Sequence, residues 1–281
     1  MKAPEKMYEK NKSTKKSQDL KPKLKPVKSK PYKPVNKVRR GGGFKCAKQQ
    51  NLKIISTNSA GDKFDCLSNL LKNTNANVVT LQETKTKKKI QFENFVVFQA
   101  KRTKSGGGSL LGIHKGLEPM LISLHENEFE LIVAEVKASN KEIRFITGYG
   151  PQENWIDSEK MPFFIALDQE IEAAESAGKS IVITMDANSK LGTTWIPNDP
   201  NEISENGEIL AEIVKKYALT VLNGSSEKCS GVITRERNTV DGRREKRAID
   251  VVIIIHDLLD LVKHMKINMY SLKTLKLKMG S

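Results

Sequence analysis

The sequence predicts an α/β chain built from mixed β-sheets sandwiched between helices. Three observations lead there. Ser180–Asn188, SIVITMDAN, is a short unbroken apolar run, mostly β-branched, of the kind that forms a strand buried on both faces. Apolar strand-like runs and amphipathic helical runs alternate from Asn51 onward. Strands outnumber helices, and both tight hairpins and long crossovers occur between them, which argues against a simple parallel βαβ array.

Taken in order, LKIIST (52–57) reads as a strand and DKFDCLSNLLKNT (62–74) as a helix, with Asp62 as N-cap and Leu67, Leu70 and Leu71 on one face. VVTLQ (78–82) is the next strand, ending at Glu83, and SLLGIH (109–114) follows a Gly106-Gly107-Gly108 turn. ELIVAEVKA (130–138) and EIRFITGYG (142–150) flank Ser139-Asn140 as a hairpin. Met161 to Ala177 reads as a long helix, with Pro162 near its first turn and Phe164, Leu167, Ile171 and Ala174 turned inward. After the central strand come a Pro/Asn-rich loop (191–206), the helix GEILAEIVKKYAL (207–219), and short strands near 220–223 and 230–234. An Arg-rich loop (235–247) and the apolar strand IDVVIII (249–255) follow. No internal repeat of fixed period is visible.

Charge is distributed unevenly. Seventeen of the 48 basic residues but only three of the 33 acids (Glu5, Glu9 and Asp19) lie in the first fifty residues, so residues 51–281 carry 31 bases against 30 acids. Residues 1–44 are Lys-rich, hold half of the ten prolines and end in Gly41-Gly42-Gly43; such a segment is expected to be disordered. Two readings stay open for it: a nucleic-acid-binding or nuclear-import tail, and a solvated linker. Three cysteines (Cys46, Cys66 and Cys229) without CxxC spacing speak against a disulfide scaffold and a zinc site, and for a reducing intracellular compartment. No apolar run approaches the roughly 20 residues that span a bilayer.

The chemistry-bearing residues collect at strand ends. The first strand delivers Asn58, the second Gln82-Glu83-Thr84, the hairpin strand Tyr149-Gly150-Pro151, and the central strand Asp186 and Asn188. A short strand delivers Thr234, and the last strong strand begins at Ile249-Asp250. Asp186 and Asn188, two residues apart, project to one side of their strand. Each residue alone fits an ordinary polar turn; six in this order are hard to assign to chance. Arg235, Arg237, Arg243, Arg244 and Arg247 offer a grip for phosphates, although such loops are commonly just solvated surface.

TN at 57–58, LQET at 81–84, GYGP at 148–151, DAN at 186–188 and AID at 248–250 resemble the successive motifs of the endonuclease/exonuclease/phosphatase superfamily. The resemblance covers roughly 51–268 and implies a DNase I-like four-layer sandwich of two mixed β-sheets flanked by helices. LQET, Gly231-Val232-Ile233-Thr234-Arg235 and the basic leader are most similar to endonuclease domains of non-LTR (LINE-type) retrotransposons, so DNA is the implied partner, with a reverse transcriptase domain in the parent element. The resemblance makes Glu83, with Asn58 beside it, the ligands of Mg²⁺ or Mn²⁺. Mg²⁺ keeps most of its water and needs few protein ligands, which suits a single acid. Asp186 would orient or deprotonate the attacking water, Asn188 would hold the phosphate oxygens, and Tyr149 would lie against the phosphate. Thr234 is implied as a DNA-backbone contact, and Asp250 as the partner that orients a histidine.

That histidine belongs in a Ser-Asp-His triplet, and the sequence contains none. His256 shares strand parity with Asp250, but six residues of strand span roughly 20 Å, so the two cannot pair. His114, His125 and His264 also read as structural or surface residues. LKLKM (275–279) alternates and could occupy a sheet edge, yet it is expected to bring no chemistry. The chain therefore reads as a truncated or frame-shifted copy. Three functions stay open: a DNA-nicking hydrolase, an inactive nucleic-acid-binding remnant, and a phosphoesterase for small-molecule or lipid phosphates.

Overall fold

A computed structural model describes residues 51–59, 64–101, 107–225, 227–238, 242–267 and 272–279, excepting the side chains of 64–66 and 237. The basic segment 1–44 and the proposed Asp62 cap lie outside the described residues. The elements are β1 (Asn51–Asn58), α1 (Phe64–Thr74), β2 (Val78–Gln82), β3 (Phe95–Ala100), β4 (Ser109–His114), β5 (Met120–His125), β6 (Glu130–Ala138), β7 (Lys141–Tyr149) and α2 (Asp157–Ser176). They continue with β8 (Ser180–Asp186), α3 (Glu205–Lys216), β9 (Thr220–Val221), β10 (Cys229–Ser230), β11 (Arg235–Asn238), β12 (Arg244–Arg247), β13 (Asp250–Ile254), β14 (Val262–Ile267) and β15 (Lys273–Lys278).

Strand parity builds the layers. In β1, Ile54 packs into the cluster between the sheets while Ile55 faces α1; in β2, Val78 and Val79 divide the same way. In β8, Val182 points between the sheets, whereas Ile181, Ile183 and Met185 meet α2 and α3. Both sheets are therefore apolar on both faces, as helix-covered sheets must be. The first sheet runs β10-β14-β15-β1-β2-β4-β3 and the second β5-β6-β7-β8-β13-β9. Both are mixed: β1 and β2, like β7 and β8, are parallel, whereas β13 is antiparallel to β8 and β15 to β1. The result is four layers, α1, sheet, sheet, and α2 with α3, as the sequence predicts.

The expected hairpin holds: Ser139-Asn140 is a two-residue loop, with Ala138 opposite Lys141 and Ser139 at φ 56°. The helix expected over 207–219 forms as α3, which starts two residues earlier, where the Ser204 hydroxyl caps it by accepting from the Gly207 N–H at 3.3 Å. Others need correction. α2 starts at Asp157, a turn before the expected Met161, so Pro162 sits inside the helix rather than in its first turn. Burial of Phe163, Phe164, Leu167, Ile171 and Ala174 against the second sheet outweighs the one backbone hydrogen bond that Pro162 cannot donate. Residues 231–234 form no strand, although the Thr234 N–H donates to the Arg247 carbonyl at 3.0 Å, and the Arg-rich stretch is not a loop: β11 and β12 pair antiparallel.

The alternating C-terminal segment does form a strand on the sheet. β15 is an interior strand, paired antiparallel to β1 on one side and to β14 on the other. It covers the edge of β1. Its alternation puts Lys273, Leu275 and Leu277 on the buried face and Lys276 and Lys278 in solvent.

Candidate functional site

The same parity that sends Ile54, Val182 and Val252 between the sheets sends the residues further along those strands to one mouth of the sandwich. A row of buried polar bonds leads to it. Gln82 Nε2 donates to Thr147 Oγ1 at 3.2 Å, Thr147 Oγ1 to the Thr184 carbonyl at 2.7 Å, and Thr184 Oγ1 to Thr80 Oγ1 at 2.9 Å. Beyond it, β8 ends at Asp186, which lies opposite Asp250 on β13 and beside Tyr149 on β7. Two buried carboxylates thus face each other in register across neighbouring strands.

Asp186 is fully buried. Its Oδ1 accepts from the Asn188 N–H at 3.1 Å, and its Oδ2 from Asn58 Nδ2 at 3.1 Å. Burial, followed by the Asp250 charge, pushes its carboxyl well above the usual range; Glu83 adds to this, while the Asn188 N–H and the Lys273 charge pull the other way. Asn188 stands in the left-handed region at φ 46°, a conformation Asn tolerates, and donates from Nδ2 to the Gly150 carbonyl at 2.9 Å. Gly150 is required there. Its N–H bonds the Asp186 carbonyl at 2.7 Å, and a Cβ would stand 2.3 Å from the Ala187 oxygen. Tyr149 is buried, and burial raises its phenol pKa; hydrogen bonds to Asn188 and Gln152 oppose that, and the Asp186 and Glu83 charges reinforce it.

Glu83 immediately follows β2 in the left-handed region, at φ 52°. That backbone costs roughly 1–2 kcal/mol for a residue with a Cβ, a strain that concentrates at functional positions. The loop is pinned by the Thr84 and Lys85 N–H groups, which donate to the Gly108 and Gly107 carbonyls at 3.0 and 2.9 Å. The Glu83 carboxylate meets the Lys85 ammonium at 2.9 Å and bonds Asn58. Burial works to raise its pKa, but the bonds to Lys85 and Asn58 and the charges of Lys85 and Arg235 hold it below the usual range.

Asn58, Glu83, Tyr149, Asp186, Asn188 and Asp250 thus come together as the sequence predicts. Thr234 does not fit its expected role. It is 2% exposed, and its hydroxyl accepts from the N–H groups of Ile249 and Asp250, both at 3.1 Å. It fixes the start of β13 and so places Asp250; it offers DNA no surface. The arginines ride on the β11–β12 hairpin. Arg244 pairs with Glu236 and Arg247 with Glu245, Arg235 and Arg243 are exposed, and the Arg237 side chain lies outside the described residues. Arg235 reaches Glu83 electrostatically.

The histidines are engaged elsewhere. His114 accepts from the Gly116 N–H, His125 stacks on Phe129, His264 bonds Ser230, and His256 opens a 3₁₀ turn after β13. The ionic partner of Asp250 is a residue the sequence reading missed. Lys273, 1% exposed, places Nζ 3.2 Å from Asp250 Oδ1. The signal was available in LKTLKLK: the parity that buries Leu275 and Leu277 also buries Lys273.

Two packed mixed sheets with helices outside are also the fold of solved structures of endonuclease/exonuclease/phosphatase-type proteins. The endonuclease domain of TRAS1, a telomere-specific non-LTR retrotransposon, superposes with a TM-score of 0.62 at 16% identity, covering 82% of this chain and 100% of that domain. The AP endonuclease LMAP from Leishmania major gives 0.66 at 13% identity over 88% of this chain and 93% of its own. The 3'-5' exonuclease NExo from Neisseria meningitidis gives 0.60 at 15%, over 82% and 100%. No protein-family model and no curated protein matches the sequence.

Proposed function

We propose that the chain is a divalent-metal-dependent phosphodiester hydrolase that nicks DNA, of the retrotransposon endonuclease type. The convergence of Asn58, Glu83, Tyr149, Asp186, Asn188 and Asp250 from separate strands of both sheets at one mouth carries this reading. The likeness to nucleases supports it, among them a 3' phosphatase NExo solved with a product DNA hairpin. The finer retrotransposon assignment rests on the LQET motif and the likeness to the TRAS1 domain. A nuclear location rests on the polybasic segment alone; no helix among the described residues is long and apolar enough to cross a membrane.

The donor set fits Mg²⁺ or Mn²⁺. Glu83 is held ionised, and the Lys85 ammonium on its carboxylate stands where a cation is favoured. Among the described residues no three His, Cys, Asp or Glu side chains form a metal cage, which suits an ion that keeps most of its water. Glu83, with the Asn58 amide, would hold it; a divalent ion there supplies Lewis acidity to a phosphoryl oxygen. The chain's own groups do the rest. Asp186, buried and short of compensating charge, is a base whose proton affinity suits taking a proton from water. The Asn58 and Asn188 bonds fix the orientation of its two oxygens. Tyr149 and the Asn188 amide flank the space above it and offer hydrogen bonds to phosphoryl oxygens.

The test is conversion of supercoiled plasmid to relaxed circles by the full chain in Mg²⁺. Nicking that EDTA abolishes and Glu83→Ala removes is the expected result. Relaxation that persists in EDTA, or in the Glu83→Ala protein, would refute the assignment.

A further inference from the structure

Lys273 sits at a position that the surrounding structure would fill with an apolar side chain. It shares its strand face with Leu275 and Leu277, both in the core between the sheets, and it lies opposite Ser56 on β1 and Ile267 on β14. Burying an ammonium there is costly unless it is paired and hydrogen-bonded. The pairing is present but incomplete: among the described residues neither Lys273 Nζ nor Asp250 Oδ1 finds a hydrogen bond, and their 3.2 Å contact is ionic only. An ammonium has three donors. A purely structural ion pair would spend them, as Arg144 does elsewhere in the molecule, bonding Glu135 through both Nε and Nη2 and the Glu170 carbonyl through Nη1.

The charge inventory of the mouth gives this cation a task. Glu83, Asp186 and Asp250 are three carboxylates around a place meant for a phosphodiester, which brings one negative charge and gains more as the water attacks. Lys85 and Arg235 belong to the rim, where each acts on Glu83. Lys273 is the cation set in the floor, on the Asp250 carboxylate that faces Asp186 across the strands.

We propose that Lys273 is the built-in cation of the site: anchored by Asp250, its ammonium offers the scissile phosphate a fixed positive charge as negative charge builds on it. This rests on the hydrolase reading above. It also places a function where the sequence predicts an Asp-held histidine and finds none. A preorganised charge in a water-excluded floor stabilises the transition state more than it does bound DNA, so its loss lowers turnover rather than binding.

The experiment compares full-length wild type, Lys273→Met, Lys273→Arg and Lys273→Met/Asp250→Asn in single-turnover plasmid nicking with Mg²⁺. Duplex DNA binding is followed by fluorescence anisotropy in EDTA. Lys273→Met should nick about 100-fold or more slowly, with DNA affinity changed less than about twofold, while Lys273→Arg retains most of the rate. The double variant removes both members of the pair and strands neither, so it reports even where the single variant fails to fold, and it should remain as slow as Lys273→Met. Wild-type rates in Lys273→Met, or their return in the double variant, would reduce Lys273 to a structural counter-ion. A wild-type chain that does not nick at all removes the hydrolase reading first, and this inference with it.

Discussion

Near the start of β7, Arg144 lies among acids; at its far end, Tyr149 stands beside Asp186, with Asp250 and Lys273 behind it. Both clusters are buried, and they are built in opposite ways. Arg144 makes two bonds to Glu135 Oε1 at 3.0 and 2.6 Å and one to the Glu170 carbonyl at 3.1 Å, and Lys179 stands 3.6 Å from the other Glu135 oxygen. Each of the three Arg144 nitrogens donates there. At the far end three carboxylates face one buried ammonium, Asp186 is pushed up by burial and by Asp250, and among the described residues Asp250 Oδ1 and Lys273 Nζ find no hydrogen bond. One strand shows how folding treats charges that serve the fold and charges that do not. The first kind are satisfied; the second are left wanting something outside the chain.

The comparison can be broken first at its satisfied end. Arg144→Met strands Glu135 and Glu170 in a buried setting and should cost about 3–5 kcal/mol in urea unfolding, with nicking per folded molecule unchanged. The double variant Arg144→Met/Glu135→Leu should regain most of that stability, since a buried pair replaced whole by apolar groups is often neutral. A loss of nicking with stability intact would mean that the two ends of β7 are not separate systems.

At the other end, Asp186→Asn should raise thermal stability at pH 7–8, measured in EDTA. The sign follows from the raised pKa. A carboxyl whose folded pKa lies above its unfolded value of about 3.9 contributes stability below that value and loses it as pH rises through the folded pKa. The wild type therefore carries a penalty at neutral pH that the amide lacks, and the gap should close toward pH 4. A variant less stable than wild type at pH 8 would show that the Asp186 charge is structural after all.

The smallest effect belongs to the hairpin. Arg244 is exposed and already paired with Glu236, so Arg244→Ala should leave stability within about 1 kcal/mol. DNA affinity should fall only slightly, with a modest decrease in the salt dependence of binding.

The sequence made the floor of this comparison visible in part. Asn58, Glu83, Tyr149, Asp186, Asn188 and Asp250 were legible because each stands at the end of an apolar run, where buried strand gives way to loop and a polar residue has no packing reason to be. Lys273 was not. The alternation of LKTLKLK puts Lys273 on the face of Leu275 and Leu277, but its place beside Asp250 depends on the register with β1 and β14, which no local pattern shows. β3, β5 and β14 escaped because none is a run of fully buried apolar residues. Thr234 was misjudged because its engagement with the Ile249 and Asp250 N–H groups depends on a fold that returns residue 234 to the start of β13.

The central claim is that the charge imbalance at the end of β7 serves phosphodiester chemistry, and nicking by full-length Asp186→Asn tests it most directly. With the protein shown to be folded by its melting transition, supercoiled plasmid in Mg²⁺ should be relaxed roughly 10²–10⁴-fold more slowly than by wild type. Relaxation at the wild-type rate would mean that the buried acid facing Asp250 takes no part in the reaction, and would contradict the account.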